Sequence, residues 1–176
     1  NPAYRAGVDD WHDAIAAVWK DTILAEIGQN GRVALMVWGD PSLYDSTLRI
    51  ASRIEKSLPL TLAVIPGITS LQALTAAHAI PINDIGAPFT VTTGRKLREE
   101  GWPDGADTLA IMLDGECSFL TIDPAEVSIW WGAYVGMTEQ ITISGKLSEV
   151  ADKIVQTRAK ARADHGWIMD IYILRR

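Results

Sequence analysis

Val33-Ala-Leu-Met-Val37 runs straight into Trp38-Gly-Asp-Pro-Ser-Leu-Tyr44, and this junction constrains the chain more than any other stretch. Five apolar residues without alternation read as a strand covered on both faces, the pattern of a parallel sheet flanked by helices. The loop that follows is shaped in advance. Gly39 has no Cβ and admits a ligand to the backbone, while Pro41 fixes its own φ and holds Asp40 in extended conformations. Ligands of open α/β sheets bind beyond the carboxyl ends of strands, so this loop is the first candidate binding element. The same residues also suit a plain strand-to-helix turn.

The arrangement recurs. Leu60-Thr-Leu-Ala-Val-Ile65 reads as a second buried strand and ends in Pro66-Gly-Ile-Thr-Ser70, where Thr69 or Ser70 caps a helix of mostly small residues from Leu71 to His78. Between the two units, Asp45 or Ser46 caps a helix carrying Leu48, Ile50, Ala51, Ile54 and Leu58. Ahead of them, Trp11, Ala14, Ile15, Val18, Leu24 and Ile27 recur at helical spacing, with Asp9 or Asp10 as cap and Gly28 as terminator. Alternating strands and helices imply right-handed crossovers and a parallel sheet, with both loops opening on one edge to make a cleft. The chain enters this pattern on a helix with Asn as its first residue. The expectation is therefore an incomplete N-terminal domain whose first strand lies upstream.

Pro81, Asn83, Asp84, Gly86 and Pro88 mark a linker, which predicts domains at 1–84 and 85–176. The second half predicts short strands at Phe89–Thr93, Thr108–Leu113, Val127–Trp131 and Gln140–Ser144. A helix follows from Leu147 to Ala163, with Val150, Ile154 and Val155 against a polar face of Lys153, Arg158 and Arg162. A last strand runs over Trp167–Leu174. This half reads as a mixed α/β domain. The Trp130-Trp131 pair places one ring in the core and the other on the opposite face, at a possible subunit contact.

With 176 residues, 48% of them hydrophobic, the chain suffices for one sizeable core or two small ones. A net charge of −6 and a sequence pI near 5.0 argue against nucleic acid or an anionic membrane as partner. Cys117 is the single cysteine, which excludes an internal disulfide, and no apolar run approaches bilayer length, so a soluble, cytoplasmic protein is expected. No His, Cys and carboxylate spacing suggests a metal, and neither a Walker sequence nor Gly-x-Gly-x-x-Gly is present. Arg95, Lys96 and Arg98 follow Thr92-Thr93-Gly94 at a strand end and suit either carboxylates of an anionic ligand or a solvated turn. Asp114-Gly115-Glu116 reads first as an acidic turn. His78 reads as a packed or surface side chain, and His12 and His165 as exposed helix residues.

Taken together, Val37-Trp-Gly-Asp-Pro-Ser-Leu-Tyr44, Ile65-Pro-Gly-Ile-Thr-Ser70 with its Ala-rich helix, Ile80-Pro-Ile82, and a later strand ending in Met112-Leu113 resemble the tetrapyrrole methylase family in motif, order and spacing. Within it, Trp38 to Arg49, Thr92-Thr-Gly-Arg-Lys-Leu97, Met112-Leu-Asp-Gly115, Trp131-Gly-Ala-Tyr134 and His165 to Arg176 are similar to the deacetylating branch that serves aerobic cobalamin synthesis. The resemblance covers nearly the whole chain.

It implies a two-domain α/β enzyme, with an N-terminal parallel-sheet domain and a C-terminal mixed-sheet domain, holding S-adenosylmethionine in the cleft between them, usually as a homodimer. By motif position the cofactor would contact Trp38, Gly39, Asp40, Leu43, Thr69, Ser70, Met112 and Leu113, together with Tyr134, Val135 and Gly136, whose spacing departs from the wider family pattern. The implied reaction is C-methylation of precorrin-5 to precorrin-6A with loss of acetate, leaving S-adenosylhomocysteine and needing no metal. Methyl transfer needs alignment above all, and deacetylation needs activated water, for which Tyr44, Asp114 and Glu116 are candidates. Arg49, Arg95, Lys96 and Arg98 are the candidate rim for substrate carboxylates. The rival readings are a methylase of the same fold acting at another ring carbon, on diphthine or on ribosomal RNA, the last disfavoured by charge, and a non-catalytic interaction domain.

Overall fold

The computed structural model describes residues 2–28 and 30–176. The chain divides into two units, Asn1–Thr69 and Ser70–Arg176. The expected boundary at 84/85 falls inside the second unit, because the helix beginning at Ser70 packs on that unit's sheet.

In the first unit, α1 (Pro2–Ile27) lies against α2 (Thr47–Ile54). Ile50, Ile54 and Leu58 bury against Ala16, with Ile15, Trp19 and Ile23 around them. Neither expected aspartate caps α1. Asp9 and Asp13 instead reach Arg53 of α2, each at 2.6 Å. At the start of α2 the capping acceptor is Asp45, whose carboxylate takes the Thr47 N–H at 2.6 Å, which frees the Ser46 hydroxyl to meet His12 Nε2 at 2.8 Å. His12 is buried, contrary to the exposed position expected of it. The two expected strands differ more. Val33–Val37 and Leu60–Ile65 belong to no ladder among the described residues, and Met36 and Ile65 are 98% and 86% exposed. A parallel strand is stable only with neighbours on its edges and cover on its faces, and these stretches have neither here.

The second unit is built on one five-stranded sheet in the order β1-β2-β5-β3-β4. Its strands are β1 (Phe89–Thr93), β2 (Thr108–Met112), β3 (Ser128–Ala133), β4 (Ile141–Lys146) and β5 (Asp170–Arg175). β1 and β2 are parallel, and β5 runs antiparallel to both β2 and β3. β2 and β3 therefore point the same way on either side of β5, and their carboxyl ends share one edge. Period-two alternation splits the side chains between two faces. Leu109, Ile111, Ile129, Trp131, Tyr172 and Leu174 join Ile154 and Ala161 of α5 (Leu147–His165), whereas Ala110, Ile171 and Ile173 join Leu71 and Leu74 of α3 (Ser70–His78). Each such large apolar side chain contributes about 1.5–3 kcal/mol through its burial. Trp131 and Trp130 fall on opposite faces as expected, Trp130 beneath the Arg175 guanidinium at 5.2 Å. Gly132 is where α3 comes close, since a Cβ there would lie 2.7 Å from Leu74 Cδ1.

The segment expected as a linker is tied to this sheet. Arg175 donates to the Pro81 and Ile82 carbonyls at 3.0 and 2.8 Å and to Thr108 Oγ1 at 3.2 Å. The basic stretch after β1 forms α4 (Gly94–Glu100), with Thr93 as cap accepting from Lys96 N and Leu97 buried. One apolar residue in seven is too weak a period to be read as a helix. A short 3-10 turn over Ser118–Thr121 is likewise new.

Asp114 holds the carboxyl end of β2. Its side chain is almost without solvent and accepts from Ser118 N at 2.6 Å, Ser118 Oγ at 2.7 Å, Glu116 N at 3.1 Å, Arg98 Nη1 at 3.2 Å and the Tyr172 hydroxyl at 2.6 Å. The backbone of α4 touches it, so a Cβ on Gly94 would sit 2.3 Å from its Cγ. Burial works to raise this carboxyl, but the bonds from the Ser118 and Tyr172 hydroxyls and from the Ser118 and Glu116 N–H groups outweigh it and hold the group below its ordinary 3.8. A depressed carboxyl stabilises the fold above its unfolded value, and that contribution is lost as pH falls through the folded one. Asp114→Asn is therefore expected to lower the unfolding free energy by about 3 kcal/mol at neutral pH, since five donors, the half-buried Arg98 among them, lose a charged acceptor. Urea melts at falling pH should show the gap to the unsubstituted chain closing below 3.8.

Candidate functional site

In the first unit, Asp40 organises the loop that the sequence singles out. Its Oδ1 accepts the Ser42 N–H at 2.8 Å and also the Ser42 hydroxyl, an Asx-type turn closed by Leu43 N to Asp40 O at 3.3 Å. Its Oδ2 accepts the Gly67 N–H at 2.8 Å, so one carboxylate joins the Trp38–Tyr44 loop to the Pro66–Thr69 loop. The Ser42 hydroxyl, then the Gly67 and Ser42 N–H groups, lower its pKa against a small effect of burial, and it is anionic at neutral pH. The two backbones are in contact. A Cβ on Gly67 would lie 1.9 Å from the Gly39 carbonyl oxygen, and Gly39 itself takes φ +76°. Both glycines are therefore required by close approach or by backbone conformation.

Around this brace, Trp38 is 75% exposed, Leu43 and Thr69 are partly exposed and Pro41 is buried. Tyr44 stands at φ +50°, and burial raises its hydroxyl pKa, so it is a proton donor at neutral pH. A groove of ≈ 460 Å³ beside the loop is lined by Ser42, Arg49, Ser52, Arg53 and Lys56. Arg49 donates to the Asp45 carbonyl at 2.6 Å and Arg53 is paired with Asp9 and Asp13, while Lys56 is exposed.

In the second unit, the expected residues gather where β2 and β3 end. Met112 closes β2, and Leu113 turns out of it at φ +53° with 63% exposure. Tyr134 leaves β3 at φ +52°, donates its N–H to the Met169 carbonyl at 3.1 Å, and buries a hydroxyl that has no partner among the described residues. Val135 follows, then Gly136 at φ +80°, whose N–H reaches Gln140 Oε1 at 2.8 Å. Ser70 opens α3 in the same unit. Left-handed backbone at two non-glycine residues on one sheet edge is strain that the surroundings must hold in place.

The remaining candidates are engaged elsewhere. Asp114 has its oxygens filled by five donors, which leaves it a structural anion rather than an available base. Arg98 faces inward to Asp114 and also meets the exposed Glu116 at 3.3 Å. Lys96 lies 3.8 Å from Glu100, and Arg95 is exposed on the same helix. His78 Nε2 sits 3.0 Å from the Trp131 carbonyl. Among the described residues no group of three His, Cys, Asp or Glu side chains could hold a metal ion, and no helix is long and apolar enough to cross a membrane.

The sequence reading missed Arg158. Assigned to the polar face of its helix, it is 8% exposed and pairs with Asp170 at 2.9 Å. The signal was present: Arg158 falls four residues after Ile154 and three before Ala161, on the apolar stripe. A charge on such a stripe requires a buried counter-charge.

The family model for tetrapyrrole (corrin/porphyrin) methylases matches residues 2–151. A Sinorhizobium protein named precorrin-6A synthase [deacetylating] is 50% identical over 99% of this chain and 67% of its own length. Among solved structures, a cobalamin synthesis related protein (CobF) of Corynebacterium diphtheriae is 40% identical with a TM-score of 0.87, covering 96% of this chain and 71% of that one. A uroporphyrin-III C-methyltransferase of Thermus thermophilus shares the fold at 21% identity, with a TM-score of 0.56 over 78% of this chain and 60% of the other. By the model match and by these two close relatives, the chain belongs to the tetrapyrrole methylase family.

Proposed function

We propose that this chain is an S-adenosylmethionine-dependent C-methyltransferase of cobalamin biosynthesis that converts precorrin-5 to precorrin-6A with release of acetate. The carrying observation is half-identity along essentially its whole length to a protein named for that deacetylating reaction. Trp38, Gly39, Asp40, Leu43 and Thr69 on the first unit, and Ser70, Met112, Leu113, Tyr134, Val135 and Gly136 on the second, are the proposed cofactor contacts. The loop geometry suits such a ligand. The two glycines let the Trp38–Tyr44 and Pro66–Thr69 backbones meet, and each unit presents an exposed apolar side chain, Trp38 on the first and Leu113 on the second.

When bound, S-adenosylmethionine supplies an electrophilic sulfonium methyl. The residues of this chain have the task of alignment, which a braced loop performs at little entropic cost. Asp40 is committed to bracing, with three donors on its carboxylate, so its negative charge is spread over the loop rather than aimed at a sulfonium it would stabilise in the ground state. Tyr44, protonated, is proposed to hydrogen-bond the departing acetyl oxygen. Arg49 and Lys56 along the groove, with Arg95 and Lys96 on α4, are the proposed contacts for carboxylates of the substrate. A homodimer is the proposed assembly, checked by sedimentation of the purified chain.

Incubation with precorrin-5 and S-adenosylmethionine should release acetate and S-adenosylhomocysteine in equal amounts. Methylated product without acetate would move the assignment to another ring carbon. Calorimetric titration with S-adenosylhomocysteine tests the loops directly. Gly67→Ala forces the two loops apart and is expected to weaken binding at least tenfold, about 1.4 kcal/mol. Asp40→Ala, which strips the Gly67 N–H of its acceptor, should act in the same direction. Unchanged affinity in both variants would remove the Trp38–Tyr44 loop from the cofactor site.

A further inference from the structure

We propose that Arg158 is a positioning residue whose single guanidinium holds the ends of β2, β3 and β5 together and so fixes the backbone of Leu113 and Tyr134 for the ligand. This rests on the cofactor role proposed above for Met112–Leu113 and Tyr134–Gly136. Arg158 Nη2 donates to the Asp114 carbonyl at 3.2 Å, the residue directly after Leu113. Its Nε and Nη2 meet the Asp170 carboxylate at 2.9 and 3.4 Å. Asp170 in turn accepts from Trp131 Nε1 at 3.0 Å, three residues before Tyr134, and the carbonyl of neighbouring Met169 accepts the Tyr134 N–H at 3.1 Å. One side chain from α5 thus reaches the exit of β2, the entry of β5 and, through Asp170, the last turn of β3.

Fold stability alone does not call for this arrangement. Buried ion pairs are often replaceable by apolar side chains of similar volume without loss of stability. What an apolar residue cannot do is bind a main-chain carbonyl and a carboxylate at once from a fixed planar fork, and lysine, a point charge on a flexible stem, cannot do it either. The two residues thereby restrained, Leu113 and Tyr134, both hold left-handed backbone, at φ +53° and +52°. Strained backbone at a ligand edge persists only where its surroundings determine it.

Arg158→Lys in the full chain separates positioning from packing, because it keeps a cation for Asp170 and gives up the fork. Thermal melting, hydrogen exchange of the segments 112–117 and 133–137, and titration with S-adenosylhomocysteine are read together. The expected result is a folded variant with exchange accelerated in those two segments and not in β4 or α3, and with S-adenosylhomocysteine binding weakened about tenfold. Exchange raised evenly across the second unit, or unchanged in both segments, would overturn the proposal. So would local acceleration with undiminished affinity. Should Arg158→Lys not fold, the double variant Arg158→Met with Asp170→Leu replaces the pair by apolar groups and is read by the same criteria. A folded, unsubstituted chain that takes up no S-adenosylhomocysteine overturns the cofactor reading itself, while the exchange result still decides whether Arg158 sets the two segments.

Discussion

Two carboxylates buried beside one another, Asp114 and Asp170, are the constraint on which the second unit depends. An unpaired charge in such a place would cost several kcal/mol, so each must be met by donors arriving from different elements. The donors come from α4 through Arg98, from the 3-10 turn through Ser118, from β5 through Tyr172, from α5 through Arg158 and from β3 through Trp131. Because every element must be in place before the charges are satisfied, the polar network specifies how the layers register, a task the apolar contacts on either side perform less selectively. The candidate ligand edge is the rim of that network.

The first unit solves a similar problem on a smaller scale. There, Asp40 is solvated and the network is only three donors deep, but it too joins stretches distant in sequence, with Gly67 twenty-seven residues away. A loop braced from within is stiff before a ligand arrives, and the two glycines are what permit its backbones to touch.

Legibility in the sequence follows from how local each cause is. β1 to β5 and α5 were readable because their apolar period is carried by consecutive residues, and the motif Trp38–Tyr44 was readable because Gly39 and Pro41 act on their own dihedrals. α4 was not, since a lone Leu97 supports no period and its cap, Thr93, matters only once β1 has ended. The fates of Asp114 and Arg98 were hidden for another reason: whether a charge is solvent or core depends on partners 16 to 58 residues away. Acidic and basic turn residues at strand ends look alike whether they await a ligand or one another. The two N-terminal stretches show the converse. Val33–Val37 and Leu60–Ile65 carry strand composition, but a ladder is a property of pairs, and no single stretch can show that its pair is present.

Those two stretches have a consequence for the behaviour of the chain in solution. Five or six uncharged residues without proline, mostly apolar and in no ladder among the described residues, are templates for strand addition. Colloidal stability of the chain is then set by its first unit, however well packed the second one is. Against it stands a net charge of −6, whose repulsion between copies reaches only about 10 Å at 0.1 M salt. Salt that screens this charge removes the barrier to edge-to-edge pairing while leaving the buried Asp114 and Asp170 network untouched, so fibrous or amorphous association and folding stability respond to ionic strength independently.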